Sequence, residues 1–359
     1  MIDEKHYAPI LKGKMGEYKA LKELTPDVRE KITPIIEIPP IPWDYINDIP
    51  AKTIDQHLSK VPENLLSSWN EDRPVFLELG YVETESMSDG THPLTKIFNE
   101  TRINRFPAIP VTGIDRVAEY QKAVIEIIER DDIGVCLRLT NRDLDDEDLE
   151  DKLGDLLSSL NVQFNQVDLV MDLESISSEQ IGLQARAIRS YLMDLPNIRE
   201  WRSLILSCSS FPETLGAFGR NTTSATTRVE WLIWASLAGG RSRIARLPTF
   251  SDYTIVNPEP FDMDPRFMQM GAKIKYTYEE EWLIVKGESI KRKGADQTHR
   301  LCQRLVKLPE YSGRDYSWGD EYINSCALNE AGPGNQTTWV RVGVNHHITF
   351  VVRQLASFF

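Results

Sequence analysis

Short, continuous apolar runs recur along the first two thirds of the chain, and helical periodicity follows most of them. The runs predict strands at 7–12, 32–38, 74–79, 107–112, 134–140, 167–173, 203–208 and about 244–256. Most of these runs are continuous rather than alternating, which is typical of strands that are covered on both faces. Between them, segment 115–130 carries its apolar residues at the spacing of an amphipathic helix.

Strands that alternate with helices in this way favour an α/β fold, a (β/α)8 barrel of the TIM-barrel type. A doubly wound open sheet is the alternative. We predict that the barrel occupies residues 1–257 and that residues 258–359 form a C-terminal appendage of mixed α and β structure, packed on the barrel. Two aromatic-rich strands are predicted in the appendage, at 272–287 and 337–352, with a helix near 295–306 between them.

Single charged residues stand near the carboxyl ends of five otherwise apolar strands. They are Lys12, Glu37, Glu78, Arg138 and Asp172. A charge within a buried strand lowers stability unless it is paired or solvated. In a barrel, these strand ends meet at one mouth, where partners and water are within reach. Two interpretations are open: an ion-pair network that fills the wide end of the barrel, and a ligand-binding or catalytic site.

The residue types at these strand ends indicate which chemistry a site could perform. The carboxylates of Glu37, Glu78 and Asp172 could hold Mg²⁺ or Mn²⁺, since both cations prefer oxygen ligands. Lys12 and Arg138 could hold an anionic group of a substrate. This combination suits a metal-dependent hydrolase that acts on phosphodiesters. Because no histidine lies in the eight predicted strands, zinc hydrolases and histidine-based phosphodiesterases are disfavoured.

A turn rich in glycine and lysine, Gly13-Lys14-Met15-Gly16, follows the first predicted strand. It lacks both the GxxxxGK[ST] and the GxGxxG pattern, so the residues predict no nucleotide-phosphate loop. We interpret the turn as a corner of the barrel, where Lys14 joins Lys12 as a candidate ligand-binding residue.

The overall charge narrows the classes of partner. The chain of 359 residues has 41 Lys and Arg against 54 Asp and Glu, a net charge of −13, which argues against a general binder of nucleic acid or anionic membranes. Segment 286–307 is locally basic, and nucleic acid could bind there through charge and stacking. The candidate residues are Lys291, Arg292 and Lys293, with Tyr276, Tyr278 and Trp282 as stacking partners. The alternative is a solvent-exposed basic face.

Several absences point to a cytoplasmic protein. The four cysteines form no CxxC pair, which suits a reducing compartment without a zinc cluster. No basic-then-apolar signal opens the chain, and no apolar run is long enough to span a bilayer, so no membrane contact is expected. His346 and His347 fall within the strand predicted at 337–352, where neighbouring side chains point to opposite faces and at most one faces the barrel. We interpret them as a hydrogen-bonded structural pair.

Both ends of the chain resemble the phage "beta protein" family. The N-terminal motifs are YAPILKGKMGEYKAL at 7–21 and ITPIIEIPP at 32–40. The C-terminal motifs are WLIVKG at 282–287, SWGD at 317–320, and the stretch from Trp339 through Gly343 to His346-His347. Members of this family occur in phages, satellite phages, prophages and bacterial antiphage defence loci, including an operon that pairs a member with a toxic exclusion protein. The resemblance implies a setting of antiphage defence or toxin immunity, as in toxin–antitoxin pairs, and supplies no catalytic residues.

Two functional hypotheses follow. In the first, the protein is a binding or regulatory module of a phage–host conflict system. Its barrel mouth would recognise a protein partner through protein–protein interaction, and that partner would come from the same operon or from a phage. In the second, it is a metal-dependent phosphodiesterase or nuclease. We favour the first because the predicted strand ends carry no histidine.

Overall fold

The computed structural model of the protein describes residues 2–177, 179–240, 243–259 and 271–359. Within these ranges the strands are β1 (Ile10–Leu11), β2 (Ile35–Glu37), β3 (Trp43–Asp44), β4 (Ile49–Pro50), β5 (Val75–Glu78), β6 (Ala108–Thr112), β7 (Val135–Thr140), β8 (Val167–Ser175), β9 (Ser203–Ser209), β10 (Thr223–Thr227), β11 (Thr249–Ser251), β12 (Gly271–Tyr278) and β13 (Glu281–Ser289). The helices are α1 (Met15–Lys22), α2 (Pro26–Arg29), α3 (Ile54–Leu58), α4 (Val61–Ser68), α5 (Pro93–Ile103), α6 (Ala118–Asp131), α7 (Asn141–Leu144), α8 (Leu149–Leu160), α9 (Ile181–Asp194), α10 (Val229–Gly239), α11 (Ile290–Lys293), α12 (Gln297–Leu305), α13 (Trp318–Ala327) and α14 (Gln336–Phe358).

Eight strands form one parallel sheet in the order β1-β2-β5-β6-β7-β8-β9-β11. Tyr7, just before β1, forms parallel bridges to both Ile32 and Phe250, and so brings the two edges of the sheet together. The amide of Ala8 also donates a hydrogen bond of 3.0 Å to the carbonyl of Phe250. The prediction of an eight-stranded α/β barrel is therefore confirmed, and the open-sheet alternative is wrong.

Both faces of the barrel strands are buried, as their continuous apolar runs predict. Side chains alternate along each strand: Ile10 contributes to the core inside the barrel, and the adjacent Leu11 packs outward against the helices. Ile35 and Ile36 divide in the same way on β2. This period of two decides which side chains point into the barrel at its carboxyl end, which we call the barrel mouth.

The C-terminal part contains an antiparallel hairpin, helices and one strand from earlier in the chain. The predicted strand at 272–287 is a hairpin, because β12 and β13 pair through a turn at 279–280. Strand β10, from before residue 257, pairs with the other side of β13. The helix expected near 295–306 is present as α12. The division into two domains at residue 257 stays a prediction.

The strand predicted at 337–352 is wrong, because these residues lie in helix α14. Asn335 caps the helix by accepting a hydrogen bond of 3.0 Å from the amide of Thr338. Residues 342–349 are all buried, since α14 packs against α1 and α13 and against β12. The polar residues of this stretch, Asn345, His346, His347 and Thr349, are buried together with the apolar ones. They therefore mark no solvent-facing stripe at helical spacing, and the β-branched residues around them read like a buried strand.

Helix α14 approaches its neighbours closely through glycine. A Cβ atom at Gly343 would lie 2.8 Å from a side-chain carbon of Ile255, which follows β11. On the facing helix α1, a Cβ at Gly16 would lie 2.7 Å from the side chain of Val340. Larger residues at either position would push α14 away from the barrel. In the described ranges no helix, α14 included, has the length and apolar character needed to cross a membrane.

Candidate functional site

The charged side chains at the ends of five strands point into the barrel and meet at the barrel mouth. Each of these residues lies two positions after a side chain of the inner apolar core, and therefore faces the same side of its strand. The pairs are Ile10 and Lys12, Ile35 and Glu37, Phe76 and Glu78, Cys136 and Arg138, and Val170 and Asp172. All except Arg138, which is nearly buried, are fully buried in a layer above the apolar core.

Arg138 occupies the centre of this layer and binds three carboxylates. Its Nη1 lies 2.5 Å from Oε1 of Glu37 and also donates to Glu78. Its Nε donates to Oδ2 of Asp172 at 2.8 Å, and Nη2 contacts the same oxygen at 2.5 Å. Burial alone would lower the pKa of Arg138, but the surrounding carboxylates outweigh burial and raise it well above its ordinary value. The guanidinium is therefore a fixed positive charge.

Lys12 supplies a second cation to the layer. Its Nζ lies 2.5 Å from Oε2 of Glu37 and donates a hydrogen bond of 2.8 Å to the carbonyl of Pro258. The same ammonium lies 4.8 Å from the ring centre of Tyr253 and 5.8 Å from that of Tyr81. Burial would raise the pKa of the Glu37 carboxyl, but Arg138 and Lys12 together lower it. Glu37 is therefore held in its charged form.

The network has two further members, Arg116 and Tyr253. Arg116 donates to Glu78 and lies 3.8 Å from a carboxylate oxygen of Glu83. The hydroxyl of Tyr253 donates to Asp172 at 2.5 Å. Tyr253 follows β11 by two residues, so strand periodicity could have placed it at the mouth. Arg116 lies in the loop after β6, where no periodicity applies, and the sequence carried no signal for it.

The mouth therefore carries three cations, Lys12, Arg116 and Arg138, bonded to three carboxylates. The arrangement matches the ion-pair interpretation of the strand ends. Arg138 lies where a metal ion was expected, between the carboxylates of Glu37, Glu78 and Asp172. Across the described ranges no three His, Cys, Asp or Glu side chains are arranged to hold a metal. Lys14 lies apart and exposed at the start of α1, where its amide donates to Glu17 at 3.0 Å.

Additional carboxylates lie beside the paired layer. Glu174 follows Asp172 by two residues, at an irregularity of β8 between Asp172 and Ser175. Its φ of 54° is a left-handed conformation that non-glycine residues rarely adopt, and such strain is concentrated at functional sites. Burial raises the pKa of the Glu174 carboxyl, and the nearby charges of Asp172 and Glu259 raise it further. Glu174 and Glu259 therefore add negative charge beyond what the network neutralises.

Exposed apolar side chains surround the same end of the barrel. The loop after β2 forms the hairpin of β3 and β4, on which Trp43, Ile46 and Ile49 are 43%, 75% and 53% exposed. Met15, after β1, and Tyr81, after β5, are also exposed. A groove of 560 Å³ runs beside the hairpin, lined in part by Ile41, Ile49 and Ile54. We call the exposed side chains of these three loops the apolar rim.

The basic candidates lie on α11, where Lys291, Arg292 and Lys293 are all exposed. In the described part of the chain none of the three has an ion-pair partner. Tyr276 and Trp282, two of the expected stacking partners, are fully buried, so they cannot stack on bases. Tyr278, the third expected partner, is partly exposed, so binding of nucleic acid at this segment would depend on charge and on stacking by Tyr278.

His346 and His347 are buried in α14 and bonded through both ring nitrogens. His346 lies 2.8 Å from the carboxylate of Asp320 and 2.8 Å from the carbonyl of Thr277. His347 lies 2.8 Å from the hydroxyl of Thr277 and 3.0 Å from Asp252, which follows β11. His347 thus contacts the barrel through Asp252, and His346 contacts α13 through Asp320. The expectation that they lie in a strand is wrong.

Comparison with known proteins places the chain in a family. The sequence profile of the family described as Beta protein matches residues 7–353, nearly the whole chain. The chain belongs to the Beta protein family. No curated protein matches it.

Solved structures similar to this Beta protein family member are far apart from it in sequence. Two mutant forms of the tryptophan synthase alpha-subunit from the hyperthermophile Pyrococcus furiosus are each 14% identical to it. One has a TM-score of 0.36 and the other 0.38; the matches cover 70% of this chain and 88% or 89% of theirs. These matches carry no argument about the site.

Motifs of this family member meet where the last helix joins the barrel. Ser317 caps α13 by accepting a hydrogen bond of 3.1 Å from the amide of Asp320. The Asp320 side chain binds His346 and also accepts a hydrogen bond of 2.8 Å from the hydroxyl of Tyr276. At the other end of the chain, the carbonyl of Ala20 accepts a hydrogen bond from Asn345 at 3.2 Å. The motif residues therefore hold α14 in place.

Proposed function

We propose that this Beta protein family member is a binding module whose barrel mouth recognises a basic and apolar segment of a partner protein. The observation that carries the proposal is the combination at one end of the barrel of unneutralised carboxylates with the apolar rim. The net charge of −13 acts in the same direction, because it attracts basic partners over a distance.

The carboxylates available to a partner lie outside the paired layer. Three cations already bind Glu37, Glu78 and Asp172, so an incoming lysine or arginine would find Glu174 and Glu259 as its partners. Burial is the main cause that raises the pKa of Glu174, and an added positive charge would offset the repulsion from Asp172 and Glu259 that raises it further. The strained backbone of Glu174 supports a role in recognition, because the bulge directs this side chain away from a regular strand position.

The rim would supply most of the affinity. Exposed aromatic and branched side chains that cluster beside a charged centre are typical of protein interfaces. Burying a side chain such as Trp43 or Ile46 contributes about 1.5–3 kcal/mol of binding free energy at full burial. A partner that covers the hairpin and inserts a cation at the mouth would combine both effects.

The biological setting of this proposal is a phage–host conflict in the cytoplasm, as the family resemblance implies. The partner would be a protein from the same operon, such as a toxin, or a phage protein. Residues 258–359 would act as an appendage that braces the barrel. A metal-dependent nuclease is less well supported, because the guanidinium of Arg138 occupies the position between the three carboxylates that a metal ion would need.

A displayed library of random 15-residue peptides tests the proposal. We expect selection on the whole protein to enrich peptides that combine Lys or Arg with large apolar residues. In a separate plaque assay, cells that carry Glu174→Gln or Ile46→Ala should give a higher titre of sensitive phages than cells that carry the wild-type protein. Glu174→Gln and Ile46→Ala should each weaken binding of a selected peptide at least tenfold. Peptides of random composition, or binding that both variants retain, would overturn the proposal.

Two matched variants control for surface effects. Ile103, at the C-terminal end of α5, is 75% exposed, as is Ile46, but lies at the opposite end of the barrel. Glu129, near the end of α6, is an exposed acid on the same far side. Ile103→Ala and Glu129→Gln should leave peptide affinity unchanged.

A second candidate function is the binding of nucleic acid through residues 286–307. It is favoured by the exposed cations of α11, which have no ion-pair partner in the described residues of this otherwise acidic chain. The salt dependence of its binding to single-stranded DNA tests this function.

A further inference from the structure

Two of the four cysteines face each other inside the appendage. Cys302 lies on α12 and Cys326 on α13, and both are fully buried in the apolar cluster that these helices share with β12 and β13. The side chain of Gln303, next to Cys302, donates a hydrogen bond of 3.0 Å to the carbonyl of Ala327, next to Cys326, so the two cysteines are neighbours where α12 packs on α13. The other two cysteines, Cys136 and Cys208, lie separately on barrel strands β7 and β9.

A histidine adjoins this pair on the solvent side. His299 precedes Cys302 by one turn of α12 and is partly exposed. Its Nδ1 lies 2.7 Å from the carbonyl oxygen of Cys326 and 3.6 Å from its Sγ. The imidazole therefore lies between the sulfur of Cys326 and the surface, where it can assist proton transfer.

We propose that Cys302 and Cys326 form a thiol pair that a peroxide oxidises to a disulfide. The proposal concerns the appendage and is independent of the function proposed for the barrel mouth. Hydrogen peroxide is the suitable oxidant because it is small and uncharged, and so can reach a buried sulfur.

The reaction proceeds in two displacements. The thiolate of Cys326 attacks one oxygen of the peroxide; the O–O bond breaks, and hydroxide leaves and takes up a proton to become water. The resulting sulfenic acid is then attacked by the sulfur of Cys302, the S–O bond breaks, and a second water leaves. Two thiols are oxidised to one disulfide as one peroxide is reduced to two waters.

The environment of the pair favours Cys326 as the attacking sulfur. The neighbouring Cys302 thiol is the main cause that lowers the pKa of the Cys326 thiol to about 7, and His299, 3.6 Å from the Cys326 sulfur, contributes. Cys326 and burial raise the pKa of the Cys302 thiol, which therefore holds the proton. In the barrel, burial raises the pKa of Cys136 and Cys208 well above the ordinary value, so both should be unreactive.

Mass spectrometry of the whole protein after peroxide treatment and trypsin tests the proposal. We expect residues 301–304 to become linked to residues 315–341, with the loss of two hydrogens, and dithiothreitol to reverse the link. The peptides that hold Cys136 and Cys208 should stay unmodified. A disulfide between other cysteines, or oxidation of Cys326 to sulfinic acid without a link to Cys302, would overturn the proposal.

The pH dependence of alkylation by iodoacetamide gives a second readout on unoxidised protein. Alkylation of Cys326 should rise with a midpoint near pH 7, and Cys302→Ala should move that midpoint upward because the thiol donor is lost. The wild-type profile keeps the test decisive if the variant fails to fold. Alkylation of Cys326 that is no faster at pH 7 than that of Cys136 and Cys208 would contradict a reactive pair.

Discussion

Replacing Glu78 with glutamine tests whether the charges at the mouth hold the barrel together. Glutamine keeps the shape of the side chain but removes the carboxylate that Arg138 and Arg116 share. Removing one partner of a buried ion pair costs about 3–5 kcal/mol of folding stability. Arg138 would keep Glu37 and Asp172, so we expect a loss near the lower end, about 3 kcal/mol.

Urea unfolding followed by tryptophan fluorescence measures this loss as the difference in unfolding free energy between wild type and variant. Glu83→Gln is the matched control, since Glu83 contacts the same Arg116 at 3.8 Å but is more exposed. We expect that variant to lose less than about 1 kcal/mol, as partly exposed pairs do.

A Glu78→Gln variant as stable as wild type, or more stable, would refute this reasoning. It would mean that the carboxylates are crowded at a cost to stability, as they are in sites kept for binding or chemistry. The mouth itself, and not only its outer carboxylates and rim, would then become the candidate site.

Three further predictions concern pH, charge and packing. Burial, with Arg73 nearby, lowers the pKa of His6 from 6.5 to about 4, so the unfolded chain takes up a proton before the folded one does. The unfolding free energy should therefore be highest above pH 6.5 and fall as the pH drops toward 4. The variant His6→Gln should lose about 2 kcal/mol less between pH 7 and pH 5 than wild type, and the same pH profile in both proteins would contradict this role of His6. The affinity for a single-stranded 20-nucleotide DNA should fall steeply as the salt concentration rises, because phosphate contacts release counterions. Replacing Lys291, Arg292 and Lys293 with alanine should make this dependence on salt weaker, and the absence of wild-type binding at low salt would rule out nucleic-acid binding at α11. Gly343→Ala should lower the unfolding free energy by about 1–3 kcal/mol, because the added methyl group would press on Ile255. The control Gly154→Ala, at an open position of α8, should raise the unfolding free energy by about 0.5–1 kcal/mol. Equal effects of the two substitutions would contradict the close packing of α14.

The barrel could be predicted from sequence because its strands are buried on both faces and read as short apolar runs between helices. Burial on all sides also misled the prediction for α14, because the polar residues of its stretch at 342–349 are buried with the apolar ones and mark no solvent-facing side. Lys12, Glu37, Glu78, Arg138 and Asp172 could be predicted to converge because strand periodicity is local. Arg138 binds three of these residues at once because the closed sheet brings strands that are distant in sequence together. Periodicity within one strand carries no information about such contacts.

Loop residues were the least predictable part of the site. Arg116 and the apolar side chains of the hairpin after β2 lie outside any regular pattern, and their positions depend on loop conformation. Glu174 could have been linked to Asp172 by its spacing of two residues, but the strand irregularity between Asp172 and Ser175 has no sequence signal. Sequence thus predicts the inner layer of the mouth better than the surface that a partner would meet.

The contacts of α14 have a consequence for synthesis on the ribosome. His347 bonds to Asp252 and lies 3.2 Å from the hydroxyl of Tyr7, a residue translated 340 positions earlier. Asn345 similarly bonds to Ala20, and Arg341 pairs with Glu23. The contact surfaces of Tyr7 and of helix α1 must therefore stay uncovered until α14 has been synthesised and has left the exit tunnel. Contacts of such long sequence separation slow folding and lengthen exposure to aggregation, so nascent chains stalled before α14 should depend on chaperones and be sensitive to proteases.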